Sequence, residues 1–224
     1  MKSSFSDLPR CTLSSFPTPL HPLERFPQAF EKSPRLWIKR DDQTTLALGG
    51  NKVRKLEFLL ADAQESGSDT IITAGGPQSN HCRLTAAACA RLGLSCHLVL
   101  GGDEPASPNG NALLDQLCGA HMHYVPSLER TSKMESLRDE LQAAEHRPYV
   151  IPVGGSNGLG AVGYALAMEE LRDQYPGDWN DIDIIVVATS SGGTQAGLTV
   201  GAHALGFQGK IVGMSIDQPY DRDP

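Results

Sequence analysis

Lys52 follows Gly49-Gly50-Asn51 and heads a stretch in which Val53, Leu56, Leu59, Leu60 and Ala63 recur at helical spacing. With Arg54 and Lys55 it crowds three cations into one turn, at the helix end where the macrodipole is already positive. Such a cation costs a few tenths to about 1 kcal/mol. An anionic ligand would offset that cost. So would a functional need for a lysine whose lowered pKa equips it as a nucleophile. A solvated basic patch is the plainest alternative.

Three more glycine-rich turns follow strands. Thr189-Ser190-Ser191-Gly192-Gly193-Thr194 links the apolar run Ile184–Ala188 to a helix. Its hydroxyls and small residues let several backbone N–H groups point at one anion on the helix N-terminus. No Lys follows in the G-K-[ST] arrangement, so a single phosphate on a small cofactor suits it better than a nucleoside triphosphate. Gly75-Gly76-Pro77-Gln78-Ser79-Asn80-His81 also joins a strand to a helix. Ser79 or Asn80 can cap that helix, and the excess of polar side chains at a strand end suits a ligand. Gly158-Leu159-Gly160-Ala161-Val162-Gly163 matches G-x-G-x-x-G, with Asp178 20 residues on, which would make a dinucleotide site and a nicotinamide oxidoreductase. However, Gly154-Gly155-Ser156-Asn157 separate the motif from the end of its strand near Val153. Helix-start and helix-packing glycines explain it with less.

These turns need elements to carry them. Prolines at 9, 17, 19, 22, 27 and 34 make residues 1–35 an irregular arm, followed by a short strand at Leu36–Lys39. Helices are expected at 53–64, 79–92, 109–117, 132–144, 159–171 and 194–205. Strands are expected at 71–74, 96–100, 121–125, 149–153, 182–188 and 210–216. Strands separated by helices require crossovers, which predicts an α/β fold with parallel sheets and ligands at the carboxyl ends of the strands.

Composition narrows the function classes. With 40% hydrophobic residues the composition argues against disorder, and 19 Lys+Arg against 26 Asp+Glu, a net charge of −7, argues against nucleic acid and anionic membranes. Five cysteines, odd in number and without a CxxC pair, argue against a disulfide scaffold or structural zinc. Cys82, Cys89 and Cys96 read as small core residues, and Asp41 and Asp42 as loop caps or ion-pair partners rather than a catalytic pair. His121 and His123 share a strand face but lack further ligands at recognisable spacing, so no metal is expected. There is no apolar run of about 20 residues and no secretory signal core after Met1. A soluble cytoplasmic protein is expected.

Taken together, the turns resemble the pyridoxal-phosphate (PLP) D-cysteine desulfhydrases and 1-aminocyclopropane-1-carboxylate (ACC) deaminases. The matching segments are Pro17–Leu20, Trp37–Asp42, Gly49–Glu57 (GGNKVRKLE), Gln78–His81 (QSNH), Arg147–Asn157 (RPYVIPVGGSN) and Ser191–Leu198 (SGGTQAGL), in the family's order. The resemblance implies two parallel-sheet αβα domains of the tryptophan-synthase-β-like PLP fold. A small domain at 51–162 would be inserted into a large one made of 1–50 and 163–224. It implies PLP held as an imine by Lys52, which also serves as general base at the substrate's Cα. Lys55 would meet the cofactor phosphate beside Ser191, Gly192, Gly193 and Thr194. Asn80 would contact the cofactor ring and, with Ser79 and His81, the small amino-acid substrate; Ser79 is also a candidate nucleophile. His81, where the deaminases carry Gln, leans toward β-elimination from D-cysteine to sulfide, ammonia and pyruvate, with ACC and related substrates as alternatives. A homodimer is implied when the large domain is intact. Family members run on past Pro224, and the missing part normally brings an active-site tyrosine and the group facing the pyridine nitrogen. A catalytically inactive shortened form is therefore the rival expectation. Tyr220 matches that tyrosine by residue type alone.

Overall fold

A computed structural model describes residues 4–29, 31 and 34–216, so Tyr220 lies outside the described residues. The proline-rich arm is less irregular than its composition suggests. Its β1 (Leu20–Pro22) pairs antiparallel with β2 (Trp37–Lys39), opposing Leu20 to Lys39. The chain then alternates: α1 (Val53–Glu65), β3 (Thr70–Gly75), α2 (Asn80–Leu92), β4 (Ser95–Gly101), α3 (Gly110–Leu117), β5 (His121–Val125), α4 (Arg130–Ala143) and β6 (Pro148–Val150). α5 (Gly158–Gln174), β7 (Ile184–Thr189), α6 (Gly193–Ala204) and β8 (Lys210–Ser215) complete it.

β3 to β6 form a parallel sheet in the order β5-β4-β3-β6. β3 is buried along its whole length because helices cover both faces. Ile71 and, on β4, Cys96, Leu98 and Leu100 meet Val53, Leu56, Leu59 and Leu60 of α1 and the Ala- and Cys-rich face of α2. Ile72, Ala74 and Val99 point the other way, onto Met134 and Leu137 of α4. Cys82, Cys89 and Cys96 are buried free thiols within the first of these cores. β6 is shorter than its apolar run suggests. Pro152 cannot donate to a ladder, and Val153–Gly155 turn back as a 3-10 segment with Gly154 at φ 68°.

β7 and β8 pair in parallel as a second sheet, packed on α5 and α6 through Ile185, Val187, Tyr164, Met168 and Leu198. Their opposite face leaves Ile184, Val186 and Met214 exposed. The G-x-G-x-x-G glycines lie in α5, and Gly160 and Gly163 serve packing. A Cβ on Gly163 would sit 2.1 Å from the Arg54 carbonyl of α1. The same closeness recurs at Gly197 of α6, where a Cβ would sit 2.2 Å from the Ala161 carbonyl. His121 and His123 are joined by His97, whose Nδ1 lies 3.1 Å from His123 Nε2. Among the described residues no group of three such ligands is arranged to hold a metal, and no helix is long and apolar enough to cross a membrane.

The three cations of the α1 turn diverge rather than forming a patch. Arg54 is buried between two carboxylates: it donates to Asp41 at 2.8 and 2.9 Å and to Glu170 of α5 at 2.8 and 2.9 Å. Thr18 closes the ring by donating to both acids, Lys39 pairs with Glu170, and the guanidinium lies 4.5 Å over the Phe16 ring. Burial alone would raise the Asp41 carboxyl, but the hydrogen bonds and charge of Arg54 outweigh it and hold the group below its ordinary range. Removing one member of such a cluster leaves a buried charge unpaired. Arg54→Met is therefore expected to lower stability by about 3–5 kcal/mol, read as a fall in the urea midpoint. A midpoint within experimental error of wild type would contradict this account.

Candidate functional site

A cavity of ≈ 700 Å³ opens where the carboxyl ends of β3 and β7 face each other. Lys52 projects into it, Ser79, Asn80 and His81 line the α2 side, and Ser191, Gly192 and Thr194 line the α6 side. The sequence-derived candidates thus converge, although 142 residues separate Lys52 from Thr194. Lys55 and Gly193 are the exceptions: both are buried behind the wall rather than on it.

Lys52 is the N-cap of α1, and among the described residues its amine makes one weak contact, to Asn51 Oδ1 at 3.5 Å. Burial holds its amine below the ordinary lysine range, because the charged form loses its water. The loop that delivers it is unusual. Ala47 and Leu48 have φ of 40° and 68°, a region non-glycine residues seldom occupy, and Gly49 and Gly50 follow at 76° and 143°. Arg83 of α2 holds this loop from below, donating to the Ala47 carbonyl and, at 2.8 Å, to that of Gly49. Tyr164 of α5 bonds Asp41 at 2.7 Å and the Asn51 carbonyl at 3.2 Å, tying the residue before Lys52 to the Arg54 cluster.

Lys55 is 1% exposed and donates to the Gly154 carbonyl at 3.1 Å, with Ser156 Oγ at 3.5 Å. Burial, reinforced by the charge of Lys52, lowers its pKa to about 7. Above it Ser156 Oγ and Ser191 Oγ lie 2.6 Å apart. Gly192 at φ 80° swings the backbone into α6, and a Cβ on Gly193 would sit 2.9 Å from Lys55 Nζ. A buried ammonium, two hydroxyls and a helix N-terminus meet so closely that a side chain at 193 would clash with them. That combination suits a phosphate-sized dianion.

Ser79 caps α2, accepting from the Cys82 N–H at 3.2 Å, so its own hydroxyl proton is free to donate. Asn80 Oδ1 accepts from Arg83 at 3.2 Å and from Asn111 at 3.1 Å, which turns its amide N–H groups loose as donors. His81 is nearly fully buried, with Nε2 2.8 Å from Thr73 Oγ1. Burial first, and the charges of Lys52 and Lys55 second, push its pKa down to about 3, so the ring is neutral. Arg83, Tyr164, Ser156 and Thr73 do not stand out in the sequence. Of these, Ser156 lies within the segment Arg147–Asn157 and has the clearest signal, a hydroxyl beside two strand-end glycines.

Residues 12–222 match a family described as pyridoxal-phosphate dependent enzyme. The chain belongs to that family. It is 44% identical over 216 residues to a D-cysteine desulfhydrase of Klebsiella pneumoniae (strain 342), covering 94% of this chain and 65% of the relative. A crystal structure of an ACC deaminase homologue superposes with a TM-score of 0.87 at 39% identity, covering 94% of this chain and 64% of the other. A crystal structure of a T.th. threonine deaminase shares the fold, with a TM-score of 0.71 at 20% identity over 88% of this chain and 59% of the other. The chain therefore spans just under two thirds of the length of the proteins it matches. The α/β fold with parallel sheets is that of the tryptophan-synthase-β-like PLP enzymes.

The site's electrostatics give a test that needs no cofactor. Above about pH 7 Lys55 sheds its proton in the free protein, and an anion in the cradle favours the protonated form. Sulfate, whose charge is constant near neutrality, should raise the melting temperature more at about pH 6 than at about pH 8.5. Lys55→Met should abolish the difference. Equal sulfate effects at both pH values would count against the cradle.

Proposed function

We propose that Lys52 carries pyridoxal phosphate in this cavity and that the protein catalyses β-elimination from a small amino acid, D-cysteine first among candidates. The observation that carries this reading is the pairing of two environments. A lysine amine with a lowered pKa projects into the cavity, and an anion cradle built on Lys55, Ser156, Ser191 and the N-terminus of α6 lies across from it. The residues present fit the cofactor at two points: an amine for its carbonyl carbon, and a cradle for its phosphate in which Ser156 and Lys55 approach the start of α6 because Gly193 has no side chain.

When bound, the cofactor would supply an electron sink for negative charge developing at the substrate's Cα. The chain supplies the rest. Lys52, uncharged more readily than a surface lysine, takes the proton from Cα. Ser79 donates its free hydroxyl proton to the substrate carboxylate, which also faces the positive end of α2. The amide N–H groups of Asn80 donate to the cofactor ring oxygen or the carboxylate. His81, neutral and tied to Thr73, adds an uncharged wall. The net reaction takes D-cysteine and water to sulfide, ammonia and pyruvate.

The similarity to the ACC deaminase homologue supports a second reading, hydrolytic deamination of ACC to a four-carbon 2-oxo acid. We further propose an inserted small domain at 51–162, a cytoplasmic location in keeping with five free cysteines, and a homodimer. Purified protein supplied with pyridoxal phosphate should develop the cofactor's visible absorption band and release pyruvate from D-cysteine. Lys52→Ala should lose the band and reduce turnover on the order of 10³-fold. Release of the four-carbon acid from ACC without pyruvate from D-cysteine would select the second reading. Absence of the band in wild type would reject both.

A further inference from the structure

Thr73 sits in β3, fully buried, with its hydroxyl oxygen 2.8 Å from the Ile151 carbonyl and 2.8 Å from His81 Nε2. A hydroxyl has one proton, and a carbonyl oxygen can only accept. The Thr73 proton therefore goes to Ile151, and Nε2 must carry a proton of its own to donate to Thr73. The ring is neutral, so that proton is its only one, and Nδ1 is left as a bare lone pair. That atom is buried and has no hydrogen-bond partner among the described residues. A buried acceptor left in this state costs about 1–3 kcal/mol, which a donor arriving in the working site would recover.

The charges that bear on the ring belong to Lys52 and Lys55. Lys55 is committed to Gly154 and Ser156, whereas among the described residues the Lys52 amine holds only its 3.5 Å contact with Asn51. We propose that Thr73 is a positioning residue: it locks His81 in the Nε2–H tautomer and so keeps Nδ1 as the acceptor for the amine of Lys52. An N–H of that amine held by Nδ1 turns the amine lone pair toward whatever carbon lies across the cavity. The opposite tautomer would present a donor, which repels a charged amine and occupies the lone pair of an uncharged one. The assignment of a partner to Nδ1 rests on the reading of Lys52 as the cofactor-bearing lysine; the tautomer lock does not.

The test separates the two. In cofactor-free protein with ¹⁵N-labelled histidine, the His81 signals are those absent from His81→Gln. Wild type and Thr73→Ser should both show a protonated Nε2 and a bare Nδ1. Thr73→Val, which keeps the shape but offers no oxygen, should show Nδ1–H or a mixture. The rate at which the visible cofactor band grows on adding pyridoxal phosphate should fall about tenfold in Thr73→Val, the loss of roughly one hydrogen bond. Thr73→Ser should restore it to within about threefold. A wild-type Nδ1–H tautomer, or a tautomer unchanged in Thr73→Val, overturns the lock. Equal loading rates in wild type and Thr73→Val overturn the link to Lys52. A wild type that shows Nε2–H but never develops the band overturns that link together with the proposed function, and upholds the lock.

Discussion

A guanidinium buried between two carboxylates sets the geometry of everything around it. Arg54 can stay charged there only because Asp41 comes from the loop after β2 and Glu170 from the C-terminal half of α5. The ion cluster pins the first turn of α1 to both. Once Arg54 is held on that side, helical geometry sends its neighbours elsewhere: Lys55 down toward the Gly154–Ser156 turn and Lys52 out into the cavity. A buried ion cluster is a costly way to gain stability, since desolvation consumes most of the attraction. Here it serves as a register mark, because a slip of one residue in α1 would take the guanidinium away from Asp41 and Glu170 and leave their charges to Lys39 and two hydroxyls.

Around this anchor the site holds positive charge back. Both lysines lie below their ordinary pKa range, and burial is the leading cause for each. Lys52 and Lys55 also repel each other, and their charges further suppress protonation of His81. The neutral partners of Lys55, a carbonyl and a hydroxyl, satisfy its hydrogen bonds without neutralising its charge. On the proposed reading, the unused capacity of the site is for an anion beside Lys55 and for a reactive carbon beside Lys52.

Local signals carry much of this into the sequence. Glycines and hydroxyls clustered at strand ends mark turns that bring backbone close to a ligand, and Lys52 stands out because cations are unwelcome at a helix start. Helical periodicity locates α1, α2 and α5 to within a residue or two, except that α5 continues to Gln174. What stays hidden depends on pairing at a distance. Nothing near Arg54 in the chain announces Glu170, 116 residues away, and nothing near Ser156 announces Ser191. Thr73 reads as an ordinary strand residue until Ile151 and His81 are seen on either side of its hydroxyl. β1 is hard to read because Pro22 masks a three-residue pairing with β2, and β6 reads too long because apolar Ile151 and Val153 flank a proline.

The loop before Lys52 and the turn at Ser79–His81 are held by different means, and that difference bears on how such a site can change over evolutionary time. α1 is fastened through charges that tolerate no substitution in isolation. The α2 turn is fastened mostly by uncharged amides: Gln78 accepts from the Asn111 N–H at 2.8 Å, and Asn111 donates to the Gln78 carbonyl at 2.8 Å. Those contacts lie at the exposed rim, where water can stand in for a lost partner. A lineage can therefore exchange residues around Gln78 and Asn111, and with them what the cavity admits, by single steps that each remain viable. The anchoring turn can move only if several residues change at once.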